Sequence, residues 1–176
     1  LIPADQAVST WSVLADAGAD LGFRPVGLAA MHGLRLEKGY RDYGVDIDVT
    51  DTPVSAGLSF AIAWDKPVEF TGRQALLDAR SDRSQRLVCL RMDDPEPLLH
   101  GGEPIYLDGT WVGYLQVGGF GHTIGASVGL AQVRNRDGVT GDWLAAGGFE
   151  VIVNGRSYPA TLQFQPFYDP ERARVR

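Results

Sequence analysis

Apolar residues near the start of the chain recur at the three- and four-residue spacing of an amphipathic helix. This spacing predicts a first helix over residues 5–17, which Gly18 is placed to end. A second helix is predicted over residues 25–39, because proline is tolerated in a first turn and glycine suits the position after a last turn. Thr71 and Gln74 have the spacing of a capping box and predict the start of a third helix.

Beyond residue 80 the apolar positions alternate with polar ones, a pattern that is typical of strands. The dipeptides Asp108-Gly109 and Asn154-Gly155 predict tight β-hairpins, and Pro159 indicates an edge or a bulge in the last strand. The predicted strands cover residues 86–92, 104–107, 110–117, 128–134, 149–153 and 156–164. Short antiparallel strands joined in this way predict a small barrel or sandwich, and the polar stretch 79–85 separates it from the helical part.

The composition of the 176 residues is that of an ordinary globular protein, with 44% hydrophobic and 22% charged residues. A net charge of -6 argues against nucleic acid as a partner, and no apolar run approaches the roughly 20 residues that span a bilayer. The single cysteine, Cys89, cannot form an internal disulfide, which makes a cytoplasmic location the expectation. The chain begins with Leu1 and enters a helical pattern almost at once, so we expect a sequence entered midway; a processed or trimmed N-terminus is the alternative.

Glycine is abundant, but the sequence holds neither a dinucleotide-binding fingerprint nor a P-loop. Gly119 and Gly121 begin the first of these patterns, and Ile124 occupies the position of its third glycine. The stretch 118–125 nevertheless follows a predicted strand. It either brings backbone N–H groups and His122 to a ligand or forms a corner that needs glycine for steric reasons.

Signals for a metal or a nucleophile are weak. Asp46, Asp48 and Asp51 resemble the beginning of a calcium loop, but the glycine and the distal glutamate of that loop are absent. The three histidines lack the spacing of a zinc site, and no G-x-S-x-G nucleophile elbow is present. The sequence therefore predicts neither a metal site nor a nucleophilic triad.

The densest polar cluster covers residues 35–43, at the end of the second predicted helix. One interpretation is a solvated helix end with a local ion pair worth about 0–1 kcal/mol. The other is one wall of a cleft, in which the Glu37 carboxylate accepts N–H donors of a planar heterocycle beside Tyr40 and Tyr43.

At these residues the sequence resembles the folate-binding aminomethyltransferase family, which includes the T-protein of the glycine cleavage system. The likeness extends over almost the whole chain, with the motifs in family order. They occupy residues 27–40, 43–44, 46–48, 52–58, 70–76, 102–105, 108–109, 112–113, 125–133 and 166–170.

Within this family the closer likeness is to the folate-binding C-terminal part of dimethylglycine and sarcosine dehydrogenases or oxidases. Residues 36–41, 93–99 and 167–170 resemble that branch. Where T-proteins usually have Arg-Asp, this chain has Met31-His32, so their arginine contact with the ligand has no counterpart here.

The resemblance implies a fragment of a larger enzyme. In that enzyme a flavin on an N-terminal domain oxidises an N-methyl amine, and tetrahydrofolate captures the one-carbon unit. The catalytic aspartate of the folate part lies upstream of Leu1, so we expect no catalytic residue here and no turnover by the fragment alone. The implied fold is α+β, with residues 1–80 as the distal part of the folate-binding domain, including the end of its ferredoxin-like portion, and residues 81–176 as a small antiparallel Greek-key β-barrel.

The resemblance also implies five cofactor-binding residues. Glu37, Tyr40 and Tyr43 belong to the cleft wall, and His122 and Tyr168 belong to loops that close it. The implied partners are tetrahydrofolate, an N-methyl amine and the rest of a longer chain, with neither nucleic acid nor a membrane. Two alternatives stand beside this prediction: a T-protein-like aminomethyltransferase that acts on a lipoyl-bound aminomethyl group without a flavin, and a non-catalytic folate-binding or scaffold module.

Overall fold

A computed structural model describes residues 1–174 of the chain. The backbone divides into two compact units, Leu1–Met31 and His32–Arg176. In the N-terminal unit, helix α1 spans Ala7–Gly18, which confirms the first predicted helix. No residue of α1 is buried in this structure, and its large apolar side chains Val8, Trp11, Val13 and Leu14 are exposed.

Helix α2 spans Leu28–Glu37, so it begins later than the predicted start near Pro25. Its end follows the expected pattern. Gly39 adopts the left-handed conformation at φ 69°, and its N–H donates to the Leu36 carbonyl at 3.1 Å. The Tyr40 N–H donates to the Arg35 carbonyl at 2.8 Å, which completes a Schellman motif.

Two short helices follow. Helix α3 spans Arg73–Ala79, but the predicted capping box is wrong, because the N-cap is Gly72 and no side chain caps the helix. Helix α4 spans Gly141–Ala145, and the Thr140 hydroxyl accepts the N–H of Trp143 at 3.1 Å. None of the helices in the described part of the chain is long and apolar enough to cross a membrane.

Six antiparallel strands form a closed barrel in the order β1–β4–β3–β2–β5–β6. Their bounds are Gln85–Met92 for β1, Pro104–Leu107 for β2, Thr110–Gly121 for β3, Ala126–Arg134 for β4, Phe149–Val153 for β5 and Arg156–Gln163 for β6. Strands β2, β3 and β4 pair with their neighbours in sequence, and β1 pairs with β4 instead of β2, which is a Greek-key arrangement. The predicted α+β class and antiparallel barrel are confirmed.

Both predicted hairpin turns form as the tight-turn dipeptides require. The two central residues of each turn are left-handed, with φ between 50° and 78° at Asp108-Gly109 and Asn154-Gly155. Pairing of β6 with β1 begins at Ala160, so Pro159 lies outside that ladder, where its missing N–H is harmless.

Strand β3 continues beyond its predicted end and includes Gly118 and Gly119, so part of the expected glycine-rich loop is strand. Close approach of the backbone explains two glycines here. A Cβ on Gly118 would lie 2.8 Å from the Leu99 carbonyl carbon, and one on Gly129 would lie 2.4 Å from the Val117 carbonyl oxygen.

Strand β1 is buried on both faces, as its unbroken apolar run suggests. Val88 and Leu90 point into the barrel, where they join the main core. Leu87 and Cys89 point outward into a second core that also contains Leu36 of α2. The second core therefore fixes the end of α2 against the outside of the barrel. Its members are Leu36, Leu87, Cys89, Val117, Val128 and Leu130, with Ile47, Ile124 and Phe167 packed against them.

Candidate functional site

The last turn of α2 carries three charged residues, and each is committed to a different neighbouring segment. Glu37 is only 3% exposed, and its Oε1 accepts the backbone N–H groups of Thr123 at 2.6 Å and Ile124 at 3.2 Å. Its own carbonyl accepts the N–H of Tyr168 at 3.2 Å. Glu37 therefore ties the β3–β4 turn and the C-terminal segment to the helix.

Arg35 organises the loop that follows the helix. Its guanidinium makes a two-pronged contact with the fully buried carboxylate of Asp46, at 2.7 and 3.1 Å. The same guanidinium donates to the Tyr40 carbonyl at 3.0 Å, and the Asp46 carboxylate accepts the N–H of Asp42 at 2.7 Å. A buried pair of this kind adds little net stability, but it specifies one loop conformation.

Lys38 holds the segment after the last strand. Its Nζ donates to the Asp169 carbonyl oxygen at 2.8 Å and to Oδ2 of the same residue at 2.7 Å, with both side chains almost fully buried. The Asp169 carboxylate also accepts the N–H groups of Ala173 and Arg174. The C-terminal segment is thus anchored directly to the end of α2.

A cleft of about 1020 Å³ opens beside this anchored region. Its walls come from the loop after α2, the start of β1 and the segment after β6. Among its lining residues are the exposed aromatic side chains of Tyr40, Tyr43 and Phe60, which are 50%, 68% and 73% exposed. The cleft therefore offers aromatic surface to a ligand of cofactor size.

The structure places the five predicted site residues in two groups. Tyr40 and Tyr43 line the cleft, whereas Glu37, His122 and Tyr168 do not. His122 lies in the turn that Glu37 holds, and its ring contacts Phe120 edge-on with centroids 5.2 Å apart. Tyr168 is half-buried beside the end of α2.

Three arginines of the cleft were not predicted as site residues. Arg41, Arg86 and Arg172 line it together with the tyrosines. Arg41 belonged to the polar cluster that the sequence singled out, but Arg86 opens an apolar strand and Arg172 lies near the C-terminus, so nothing local marked them. Burial lowers the pKa of the Arg86 guanidinium, and the positive charge of Arg83 lowers it further.

Cys89 lies beneath the cap of α2, where a Cβ on Gly39 would come within 3.0 Å of its sulfur. Burial raises the pKa of the thiol to about 11, and the nearby charge of Arg41 opposes this only in part. Cys89 is thus a buried, free cysteine of the second core.

The aspartates that resembled a calcium loop have separate structural partners. Asp46 pairs with Arg35, Asp48 accepts bonds from Thr50, and Asp51 accepts the Gln132 amide at 2.6 Å. Among residues 1–174, no group of three or more His, Cys, Asp or Glu side chains is placed to hold a metal ion.

Two family models match the chain. One, described as the glycine cleavage T-protein C-terminal barrel domain, matches residues 85–169, and the GCVT N-terminal domain matches residues 1–66. The chain belongs to the glycine cleavage T-protein family. The match to the barrel model coincides with the six strands, and that to the N-terminal model includes the whole of α2 and the loop after it.

Individual relatives agree with this assignment. The chain is 41% identical over 98% of its length to a 4-methylaminobutanoate oxidase (formaldehyde-forming) of Paenarthrobacter nicotinovorans, and 32% identical over 99% of its length to human mitochondrial sarcosine dehydrogenase. It spans only 20% and 19% of those proteins. The solved structure of the glycine cleavage system aminomethyltransferase T from Bartonella henselae superposes with a TM-score of 0.76 at 25% identity, over 90% of this chain and 44% of that one.

Proposed function

We propose that this chain is part of a flavin-dependent N-methyl amine oxidoreductase that delivers a one-carbon unit to tetrahydrofolate. The observation that carries the proposal is the 41% identity, over 98% of the chain, to an oxidase whose name records formaldehyde formation from an N-methyl amino acid. Sarcosine, the substrate that names the human relative, is also an N-methyl amino acid. Because the chain spans about a fifth of these relatives, the activity is proposed for the whole protein.

The residues of the cleft suit a folate. A folate combines planar rings with carboxylates, and the cleft combines exposed Tyr40 and Tyr43 with arginines. We propose these two tyrosines as direct contacts. Glu37, His122 and Tyr168 belong to the adjoining wall, in which the Glu37 carboxylate holds the β3–β4 turn in place.

The chemistry of the reaction comes from the cofactors when they are bound: the flavin oxidises the N-methyl amine, and the folate takes the one-carbon unit. The residues of this chain bind and orient, and no catalytic residue is proposed among them. In the same proposal, residues 1–80 are the distal part of the folate-binding domain and residues 81–176 the barrel domain. A cytoplasmic location, with neither nucleic acid nor a membrane as partner, completes it.

The full-length protein tests this function. It is supplied with a panel of N-methyl amino acids and an electron acceptor, and free formaldehyde is measured with and without tetrahydrofolate. We expect oxidation of at least one amine, with free formaldehyde reduced when tetrahydrofolate is present. Folate binding without oxidation of any N-methyl amine contradicts the proposal and favours a non-catalytic folate-binding module.

Aminomethyl transfer from a lipoyl-bearing protein is the second candidate, and the TM-score of 0.76 to a T-protein structure favours it. One feature of the sequence argues against this second candidate: the chain has Met31-His32 at the position where T-proteins usually carry Arg-Asp. Release of ammonia and methylenetetrahydrofolate from a lipoyl-bound aminomethyl group, without any amine oxidation, would decide for this second candidate.

A matched pair of variants tests whether the cleft is the folate site. Tyr43→Ala removes an aromatic side chain that is 68% exposed at the cleft, whereas Tyr114→Ala removes one that is 38% exposed on the barrel. Stacking on an aromatic ring contributes about 1–3 kcal/mol in comparable ring–ligand contacts. We therefore expect Tyr43→Ala to weaken tetrahydrofolate binding at least about fivefold and Tyr114→Ala to leave it unchanged. Equal affinities for the two variants would remove the cleft from the proposal.

A further inference from the structure

A second cavity, the hairpin cavity, lies between the loop after β1 (residues 96–103) and the tip of the β5–β6 hairpin (residues 153–158). Its volume is about 680 Å³, which is within the range of small-molecule sites. Arg86 of the cleft and Met92, where the loop of the hairpin cavity begins, stand at opposite ends of β1, about 20 Å apart at a rise of about 3.3 Å per residue. The hairpin cavity is therefore separate from the proposed folate site.

Backbone hydrogen bonds fix the loop wall of this cavity against β3. The N–H of Gly118 donates to the His100 carbonyl at 3.0 Å, and the N–H of Gly102 donates to the Leu115 carbonyl at 2.7 Å. The N–H of Leu115 in turn donates to the Glu103 carbonyl at 2.9 Å. The wall is thus held in one conformation, as a preformed binding site requires.

The carboxylate of Glu103 is part of the same wall. It is half-buried, and its Oε1 accepts the N–H of His100 at 2.9 Å while its Oε2 accepts the N–H of Gly101 at 2.8 Å. Because an ionised carboxylate has about four acceptor sites, each oxygen can accept a further hydrogen bond. Glu103 therefore presents a negative charge at a fixed position in the cavity.

Two further charged side chains of opposite sign line the cavity, Glu96 from the loop and Arg156 from β6. Both residues are exposed. Within residues 1–174, the carboxylate of Glu96 and the guanidinium of Arg156 form no salt bridge and no hydrogen bond, either with each other or with another residue. Both charges are therefore available to a ligand.

This mixture of charges restricts the class of ligand. A simple anion attracted by Arg156 would meet the two carboxylates, and a simple cation attracted by the carboxylates would meet the guanidinium. A molecule that carries both an ammonium group and a carboxylate pairs with both signs at once. Apolar surface lies beside the charges, at Leu98, which is 55% exposed, and at the ring of Tyr158, which packs against the main core.

We infer that the hairpin cavity is a binding site for a small zwitterion of the α-amino acid type. Its ammonium group pairs with Glu96 and Glu103, and its carboxylate pairs with Arg156, whose planar fork matches a carboxylate with two parallel hydrogen bonds. Its side chain contacts Leu98 and Tyr158. The site is independent of the proposed folate site and of the amine oxidation proposed for the whole protein.

Three ligands that differ in charge test the inference on the full-length protein by equilibrium dialysis. L-Leucine carries both charges, L-leucinamide keeps only the ammonium group, and N-acetyl-L-leucine keeps only the carboxylate. We expect leucine to bind saturably and each analogue to bind at least about tenfold more weakly, because hydrogen bonds to charged groups are stronger than neutral ones. Absence of leucine binding at millimolar concentration, or equal affinity for the three ligands, would overturn the site.

Variants of the two unpaired residues locate the binding. Arg156→Gln should weaken leucine binding about tenfold without weakening that of leucinamide, and Glu96→Gln should weaken leucine binding about tenfold without weakening that of N-acetyl-leucine. Arg134→Gln and Glu150→Gln are the matched controls, since both residues are exposed on the barrel and outside the cavity. Leucine affinity equal to that of the wild type in either Arg156→Gln or Glu96→Gln would overturn the site.

The result does not depend on the proposed function, because leucine carries no N-methyl group. Glu96 and Arg156 are exposed and lie outside the cleft, so their variants should unfold at the wild-type temperature and keep wild-type folate binding and amine oxidation. Loss of leucine binding with these properties unchanged supports the site. A full-length protein that oxidises no N-methyl amine but binds leucine in this way would contradict the proposed function and leave the hairpin cavity as a binding site.

Discussion

One carboxylate oxygen of Glu37 accepts two hydrogen bonds from the turn between β3 and β4. Replacing Glu37 by glutamine tests how much these hydrogen bonds stabilise the turn. The oxygen accepts N–H groups from Thr123 at 2.6 Å and from Ile124 at 3.2 Å, in a residue that is 3% exposed. Glutamine keeps a carbonyl acceptor of the same shape but loses the charge. Hydrogen bonds to charged groups contribute about 1.5–3 kcal/mol and neutral ones about 0.5–1.5, so the loss for the pair is about 2 kcal/mol.

Local opening of the turn should become more frequent by the corresponding factor. A change of about 2 kcal/mol is an increase of about 30-fold in amide exchange at Thr123 and Ile124, when exchange follows the opening equilibrium. Hydrogen exchange of the full-length protein, read by mass spectrometry on short peptides covering the turn, measures it. Glu150→Gln is the control, because Glu150 is exposed on β5. Unchanged exchange at the turn in Glu37→Gln would refute the reasoning.

Three further predictions concern the framework of the site. Asp46→Asn leaves the buried guanidinium of Arg35 unpaired and should lower the local stability of the loop by about 3–5 kcal/mol, measured as faster proteolysis within residues 40–50. Asp48→Asn, at an exposed carboxylate, is the control and should leave the proteolysis rate unchanged. Burial raises the pKa of the Cys89 thiol from 9.0 to about 11, so alkylation of Cys89 in the folded protein should stay slow at pH 9. The free energy of unfolding should fall as the pH rises from 9.0 through about 11, because the thiol loses its proton first in the unfolded state. Fast alkylation at pH 8 would contradict this. Gly113→Ala places a Cβ 2.1 Å from a β4 carbonyl oxygen and should abolish soluble expression, while Gly141→Ala, with open space around it, should express normally.

The barrel was predictable because its signals are local. The left-handed turns at Asp108-Gly109 and Asn154-Gly155 depend on residues that tolerate positive φ, and alternation of residues marks the buried side of a strand such as β5. The start of α3 was not predictable in the same way. Thr71 and Gln74 have the spacing of a cap, but the chain enters the helix through Gly72 at φ 87°, which leaves Thr71 outside the cap.

The same distinction between local and non-local signals applies to the residues of the candidate site. Tyr40 and Tyr43 were predicted because they lie in one dense polar stretch just after a helix. Arg86 and Arg172 reach the same cleft from the first strand and from beyond the last one, and only the closed barrel brings those segments together. The spacing of residues along the sequence does not predict that these two segments lie side by side.

The positive cleft follows from where the acidic groups around it are used. Asp46 neutralises Arg35, Asp169 neutralises Lys38, and the Glu37 carboxylate is taken by two backbone N–H groups. Each of these carboxylates is buried in the framework that fixes the loop, the C-terminal segment or the β3–β4 turn. None of these three carboxylates lines the cleft, and no other Asp or Glu of residues 1–174 does. The contacts that stabilise this wall of the cleft thus also determine which charges face a ligand. Phe60→Glu, which places a carboxylate in the cleft, should therefore weaken folate binding without lowering the stability of the wall.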